Sequence, residues 1–233
     1  MTPRDFELSI KKAFQALMDI GITDWSKFPR KGSLQTNSEF NKVALTAGHS
    51  YEEVYKAALR LNYFNFSLND HSFLQFSYRE TEDSFILRLA FYPNPFFIGE
   101  EERELLAEAL IDDHDFIDQV FDEADIFINR PPIRFDYDPK CHSPCDHPAG
   151  HLHVGAYPSN RWPVRSILSP EAFSLFVAKH YFNDAWQQFK EDGDPVMSFK
   201  NPMDRRYALS ASSCEVINED LFTPEETQHL FLG

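Results

Sequence analysis

The stretch LQFSYRETEDSFILRLAFYPNP, residues 74–95, decides the fold that the sequence predicts. Large apolar side chains occupy every second position on either side of a polar run at residues 80–83: Leu74, Phe76 and Tyr78 before it, and Phe85, Leu87, Leu89 and Phe91 after it. Alternation with a period of two is typical of strands, and the polar run supplies a turn between them. The stretch therefore predicts an antiparallel hairpin.

Segments with helical start signals lie on both sides of this hairpin. Thr2-Pro3 opens a first helix that ends at Gly21, Ser50 and Glu53 form a capping box at a second, and Ser169-Pro170 opens a long third. Residues 22–49 look irregular, and residues 100–110 and 113–124 look helical. The predicted class is α+β, with a mostly antiparallel sheet and helices packed on one face.

The domain organisation predicted for the 233 residues is a single α+β domain, because the chain shows no repeat and no Gly- or Ser-rich linker. Its helical N-terminal part covers residues 1–70. The sheet core covers 71–190 and contains a motif region at 132–165. The part from 191 to 233 is irregular, with one strand near 208–217 and a short helix at the end.

The charge balance limits the partners that we expect. The formal net charge is −15 and the pI is about 4.9, which opposes non-specific DNA binding and favours a basic protein partner. Three cysteines do not make a disulfide framework, and no apolar run predicts a membrane span or a signal peptide. We expect a cytoplasmic protein.

The motif region concentrates the groups that can carry chemistry. Four of the nine histidines fall between residues 142 and 153. Alternate residues of a strand share a face, so Arg134, Asp136 and Asp138 should lie opposite the core, and so should His151 and His153 of the next strand. If these two strands pair as a hairpin, the polar faces coincide, and the loop between them folds His147 over one end.

Three interpretations of this polar face compete. In the first, it is catalytic: His151 or His153 is the general acid or base, Asp136 orients it, and Arg134 binds a phosphate. In the second, it is structural, with ion pairs across the strands and histidines bound to backbone groups.

The third interpretation is a site for zinc or another divalent metal. Cys141, Cys145, His147 and His151 are zinc-type ligands within one short loop, although their spacing matches no common zinc finger. Asp136, His151 and His153 would instead form a set of two histidines and one carboxylate.

Four pieces of the sequence resemble one family in combination: Arg134-Phe-Asp136-Tyr-Asp138-Pro, His147-Pro-x-x-His151-Leu-His153-x-Gly155, Arg161-x-Pro163-Val164 and Ser169-Pro170-x-x-Phe173. They resemble the bacterial "domain of unknown function 2290" family, over about residues 130–180. The family name implies no activity. The resemblance implies a neighbourhood of mobile or defence genes, and it adds Arg161 to the site. His151-Leu-His153 also resembles the histidine-triad nucleotide hydrolases, but Gly155 stands where their third histidine would be.

The function expected from these observations is that of an intracellular prokaryotic protein of an antiphage-defence or toxin–antitoxin type. We expect a hydrolase or nuclease-like phosphoryl-transfer site that acts on RNA or a nucleotide, in which Arg161, Asp138 and His147 bind the ligand. One alternative is a non-enzymatic acidic subunit that docks on a partner encoded nearby, through carboxylates at residues 100–102 and 112–113. A second alternative is a zinc-binding structural protein.

Overall fold

A six-stranded antiparallel sheet lies at the centre of the computed structural model, which describes residues 1–29, 31–46, 48–97, 99, 106, 121, 124–126, 130–155, 160–188 and 215–228. The strands lie side by side in chain order: β1 Phe66–Ser67, β2 Phe73–Glu80, β3 Phe85–Tyr92, β4 Ile133–Tyr137, β5 Gly150–Val154 and β6 Trp162–Pro163. The predicted hairpin is β2 and β3, paired in a register that sets Phe76 opposite Leu89. This prediction is confirmed.

Five α-helices accompany the sheet in the described part of the chain: α1 Pro3–Ile20, α2 Ser38–Leu45, α3 Tyr51–Arg60, α4 Pro170–Tyr181 and α5 Asn183–Gln187. Two further strands, β7 Ser166–Ile167 and β8 Glu215–Val216, pair with each other. The class is therefore α+β, as predicted. The predicted C-terminal helix is a single 3-10 turn at Glu226–Gln228. Most of the helices predicted at 100–110 and 113–124 lies outside the described residues.

The predicted helix starts are confirmed in atomic detail. The Thr2 side chain accepts a hydrogen bond from the backbone N–H of Asp5, whose carboxylate accepts one from the Thr2 N–H in return. Gly21 ends α1 in the left-handed conformation, at a φ of 93° that favours glycine. Ser50 and Glu53 form the same reciprocal box at the start of α3.

One face of the sheet carries the main core. Phe76, Leu89, Phe135 and Leu152 lie in one row across β2 to β5, and α1 and α4 pack over this row. The ring of Phe173 on α4 meets Phe76 edge-on, with centroids 6.4 Å apart. This is the face on which helices were predicted to pack.

Within the described residues, α2 and α3 cover one end of the other face. Their side chains form a second apolar cluster with the sheet residues Phe73 and Tyr92. The prediction that residues 22–49 are irregular is wrong for α2, which Asn37 caps by accepting hydrogen bonds from two backbone N–H groups. Only Phe40 of this two-turn helix is buried, so its sequence shows little helical periodicity. The rest of this face is left for a cleft.

Within the described residues, no helix is both long enough and apolar enough to cross a membrane.

Candidate functional site

Strand register brings the predicted polar residues together on the face away from the main core. Asp136 on β4 lies between Arg88 on β3 and His151 on β5, and Arg134 lies opposite His153. Successive side chains of a strand point to opposite faces, so these residues lie on the side away from the main core. The predicted pairing of β4 with β5 is confirmed.

Asp136 is the centre of this polar cluster. Arg88 donates from Nε to Oδ1 at 3.0 Å, and Arg134 donates from Nε to Oδ2 at 2.8 Å. Burial raises the pKa of the Asp136 carboxyl, but His153 and the two arginines lower this pKa by more, so it lies well below its usual range. Asp136 is therefore ionised at neutral pH, with a cation on each oxygen.

His151 is held in one tautomer. Its Nδ1 lies 2.7 Å from the carbonyl oxygen of Pro148, which can only accept, so Nδ1 carries the hydrogen. The Nε2 atom keeps its lone pair and lies 4.0 Å from Asp136 Oδ2. Burial lowers the pKa of His151 to about 4, despite the opposing hydrogen bond to Pro148. The ring is therefore neutral at pH 7.

His153 is the imidazole nearest to the carboxylate. Its Nε2 lies 3.4 Å from Asp136 Oδ2, and the side chain is only 4% exposed. Neither of its ring nitrogens makes an aligned hydrogen bond within the described chain. Burial lowers the pKa of His153, and Asp136 opposes that shift. A buried imidazole that faces a carboxylate and has a shifted pKa is a common feature of functional sites.

His147 closes one end of the cluster, as predicted. Its ring meets the ring of His151 edge-on, at a centroid distance of 5.0 Å. Burial and the charge of Arg161 both lower the pKa of His147. The loop that carries His147 is anchored at Asp138, whose N–H donates to Ala149 O at 2.8 Å.

The loop has a second anchor in the C-terminal part of the chain. Its residue His142 lies 3.5 Å from Glu226, which is completely buried. Gly150, which begins β5, is also constrained, because a Cβ atom there would lie 2.5 Å from Ile217 Cδ1 and 2.9 Å from Val164 O. These contacts keep β5, which carries His151 and His153, close to Val164 and Ile217.

The polar cluster forms the floor of a cleft with a volume of about 420 Å³. The charged and histidine side chains that line this cleft are Arg79, Arg88, Arg134, Arg161, Asp136, Asp138, His147, His151 and His153. With the histidines neutral, the cleft carries two more positive than negative charges, although the whole chain has a net charge of −15. This local reversal of sign favours an anionic ligand.

Cys141 and Cys145 do not join this cluster. Cys141 and Cys145 are exposed and free. The set of metal-ligand side chains that the described residues bring together is Asp136, His151 and His153, whose ligand atoms all lie within 4.8 Å of one another. The four-residue set of Cys141, Cys145, His147 and His151 is thus not assembled here.

Sequence reasoning missed the part of the site that β2, β3 and the N-terminal part contribute. Arg88 pairs with Asp136, and Arg79 and Tyr63 line the cleft. A signal for Arg88 was present, because it is the only charged residue between Phe85 and Tyr92 and it lies at an alternate position from the core side chains. Tyr63 gave no such signal, since it follows α3 in an irregular turn.

The fold and the site together define an α+β protein with a cleft of arginines, aspartates and histidines on the open face of an antiparallel sheet. The chain belongs to the family described as "Uncharacterized conserved protein (DUF2290)", whose model matches residues 24–232. The family resemblance indicated by the motif residues is therefore confirmed. Neither the curated proteins nor the solved structures contain a significant match to the chain.

Proposed function

We propose that the cleft binds a phosphate-bearing ligand and catalyses phosphoryl transfer or hydrolysis on it. The observation that carries this proposal is the group of four arginines that line one cleft of a strongly acidic chain. A guanidinium group presents planar donors that match two oxygens of a phosphate, and it stays charged at any physiological pH.

Arg161 supports the proposal most directly. Its Nε is buried and has no hydrogen-bond partner within the described chain. A buried donor without a partner is unfavourable by about 1–3 kcal/mol, and more when the group is charged. Arg161 lines the cleft, so its guanidinium group is placed to bind a phosphate there. Arg88 and Arg134 each donate a hydrogen bond from Nε to Asp136. The terminal nitrogens of both arginines take no part in these two bonds.

Asp136 and His153 supply the acid–base chemistry in this proposal. Nε2 of His153 faces the ionised carboxylate, which would orient the ring and stabilise the imidazolium formed when the ring accepts a proton. His153 lines the cleft, so its ring would exchange this proton with a ligand bound there. His151, tied to Pro148, supports the second ring at a centroid distance of 4.8 Å.

The wider biological roles stay predictions. Membership in the family is compatible with a defence or toxin–antitoxin protein, and equally with an acidic partner subunit that has no activity of its own. The carboxylates predicted to dock a partner, at residues 100–102 and 112–113, lie outside the described residues.

Arg161→Gln is expected to weaken the binding of inorganic phosphate and pyrophosphate by about 10- to 100-fold, because one charge-assisted hydrogen bond contributes about 1.5–3 kcal/mol. Isothermal titration calorimetry at constant ionic strength measures the effect. The matched control is Arg165→Gln, which changes an exposed arginine outside the cleft lining. Wild-type protein that binds neither anion at millimolar concentration would refute the proposed function.

A metal site is the second candidate, and the geometry of His151 favours it. Asp136, His151 and His153 form a set of two histidines and one carboxylate, a combination that binds divalent transition metals. Histidine ligands commonly donate their other ring nitrogen to a backbone carbonyl, as His151 does to Pro148. The charges oppose this candidate, because the two arginines on Asp136 already make its surroundings positive before any cation binds.

Elemental analysis of the purified protein separates the two candidates. For an anion site we expect well under one equivalent of zinc or another transition metal per chain, in the wild type and in both His151→Ala and Cys145→Ala. About one equivalent that is lost in His151→Ala, yet kept in Cys145→Ala, would replace the acid–base proposal with a metal centre.

A further inference from the structure

The cleft has a second wall that the arginines and histidines do not form. Leu34, Leu45 and Tyr63 line it, and a smaller hollow behind them, of about 30 Å³, adds Phe40 and Tyr92. Leu45 is 64% exposed, although it is a large apolar residue on a helix. An apolar surface left open beside a charged cluster needs an explanation, since neither phosphate binding nor acid–base chemistry uses it.

This apolar wall is built rigidly. The ring of Phe40 lies between two tyrosines, with centroids 4.9 Å from Tyr63 and 6.3 Å from Tyr92. Gln75 on β2 donates a side-chain hydrogen bond to the carbonyl oxygen of Tyr63 and so fixes the turn that presents this ring. Aromatic side chains held in this way offer contact area at little further cost in conformational entropy.

The two walls meet at Arg88 and Arg134, which line both hollows. A ligand that bridges the walls has an anionic end on the arginines and a flat, apolar end against Leu45 and Tyr63. Amide groups are present in the same cleft, since Gln35 and Asn41 also line it. Amides can both donate and accept hydrogen bonds, as the edge of a nucleobase requires.

We infer that the cleft takes a nucleoside monophosphate, with its base against the wall formed by Leu45 and Tyr63 and its phosphate on the arginines. This inference rests on the proposed function and names its substrate class. A volume of about 420 Å³ is in the range of pockets for small organic ligands and far exceeds the needs of a phosphate ion. The net charge of −15 disfavours a long polynucleotide more strongly than a single nucleotide, which brings fewer phosphates.

Calorimetric titration of the full chain with inorganic phosphate, ribose 5-phosphate and the four ribonucleoside monophosphates tests the inference. At least one nucleotide is expected to bind about 5- to 100-fold more tightly than ribose 5-phosphate, because stacking of one base contributes that much. The ratio of these two dissociation constants isolates the contribution of the base from that of the phosphate.

Leu45→Ser is the diagnostic variant, since an exposed side chain can be shortened without loss of the core. It is expected to reduce the ratio of the two constants about threefold or more, whereas Arg134→Gln weakens both ligands together. The matched control is Leu8→Ser, which changes a leucine that is 52% exposed on α1 and should leave the ratio as it is in the wild type.

The outcomes are distinct. Phosphate binding with equal affinities for ribose 5-phosphate and all four nucleotides would overturn the nucleotide inference and leave the proposed function standing. No binding of any of these anions would overturn both. Much tighter binding of a 5′-phosphorylated RNA oligonucleotide than of every monophosphate would also overturn the inference, because the ligand would then be an RNA end.

Discussion

Asp136→Asn is expected to lower the free energy of unfolding by about 2–4 kcal/mol at pH 7, because it removes the carboxylate that neutralises two arginines. Asp136 is largely buried, with a side chain that is 13% exposed. Its pair with Arg134 contributes most of the loss, since Arg88 is 47% exposed and solvent screens its charge. Urea denaturation measures the change, and Asp146→Asn, at an exposed loop position, is the control.

The same variant has a predictable dependence on pH. The folded-state pKa of Asp136 lies below its value of about 3.9 in an unfolded chain, so the carboxylate stabilises the fold fully above that value. The stabilisation is lost as pH falls towards the folded-state pKa. The difference in unfolding free energy between wild type and Asp136→Asn should therefore be constant from pH 7 to 5 and shrink below about pH 4.

Asp136→Asn should lower the free energy of unfolding but should not weaken anion binding. Without the carboxylate, Arg88 and Arg134 keep their full charge for a ligand, so Asp136→Asn should bind inorganic phosphate at least as tightly as the wild type. A loss of phosphate binding in folded Asp136→Asn would contradict this account of the arginines. It would indicate that Asp136 itself holds the ligand, directly or through a metal ion.

His153→Gln is expected to reduce kcat by about 10²- to 10⁴-fold, the usual contribution of a general acid or base. Nitrophenyl phosphate monoesters and diesters, together with nucleotides, form the substrate panel for this measurement. The affinity for inorganic phosphate should change little, since the arginines that bind the anion remain. Glutamine keeps polar atoms in a buried position and avoids the cavity that alanine would leave.

A matched histidine provides the control for this effect. His180 is exposed on α4, which packs against the opposite face of the sheet, so His180→Gln should keep the wild-type kcat. Equal activity of His153→Gln and the wild type would remove His153 from the chemistry. A wild type that binds phosphate but hydrolyses no member of the panel would limit the function of the cleft to binding.

The parts of the fold that local rules control could be predicted from the sequence. Thr2 and Ser50 begin helices because their side chains accept hydrogen bonds from free backbone N–H groups. Both partners of these hydrogen bonds are close together in the sequence. The polar face of β4 and β5 was predictable for a similar reason, since side chains at Arg134, Asp136 and His151 must share a face once the strands pair. These rules need no knowledge of distant contacts.

The rest of the site depends on contacts between distant parts of the chain. Pairing of β3 with β4 across a long connection puts Arg88 beside Asp136, and alternation alone does not tell which strands will be neighbours. Helix α2 was missed because it buries a single side chain, Phe40, on a surface that the sheet supplies. The apolar wall of the cleft could therefore not be predicted from the sequence.

The packing of α1 on α4 has a consequence for how the chain folds during synthesis. Ser9 accepts a hydrogen bond from Glu171, and the two residues are 162 positions apart. The apolar side of the first helix therefore stays without α4 until the chain beyond residue 170 has left the ribosome. Strands β1 to β5, which pair in the order in which they are made, can form before that point. A nascent chain halted before Pro170 would lack α4 over this side of the first helix, and the apolar surface left there would present a binding site for chaperones.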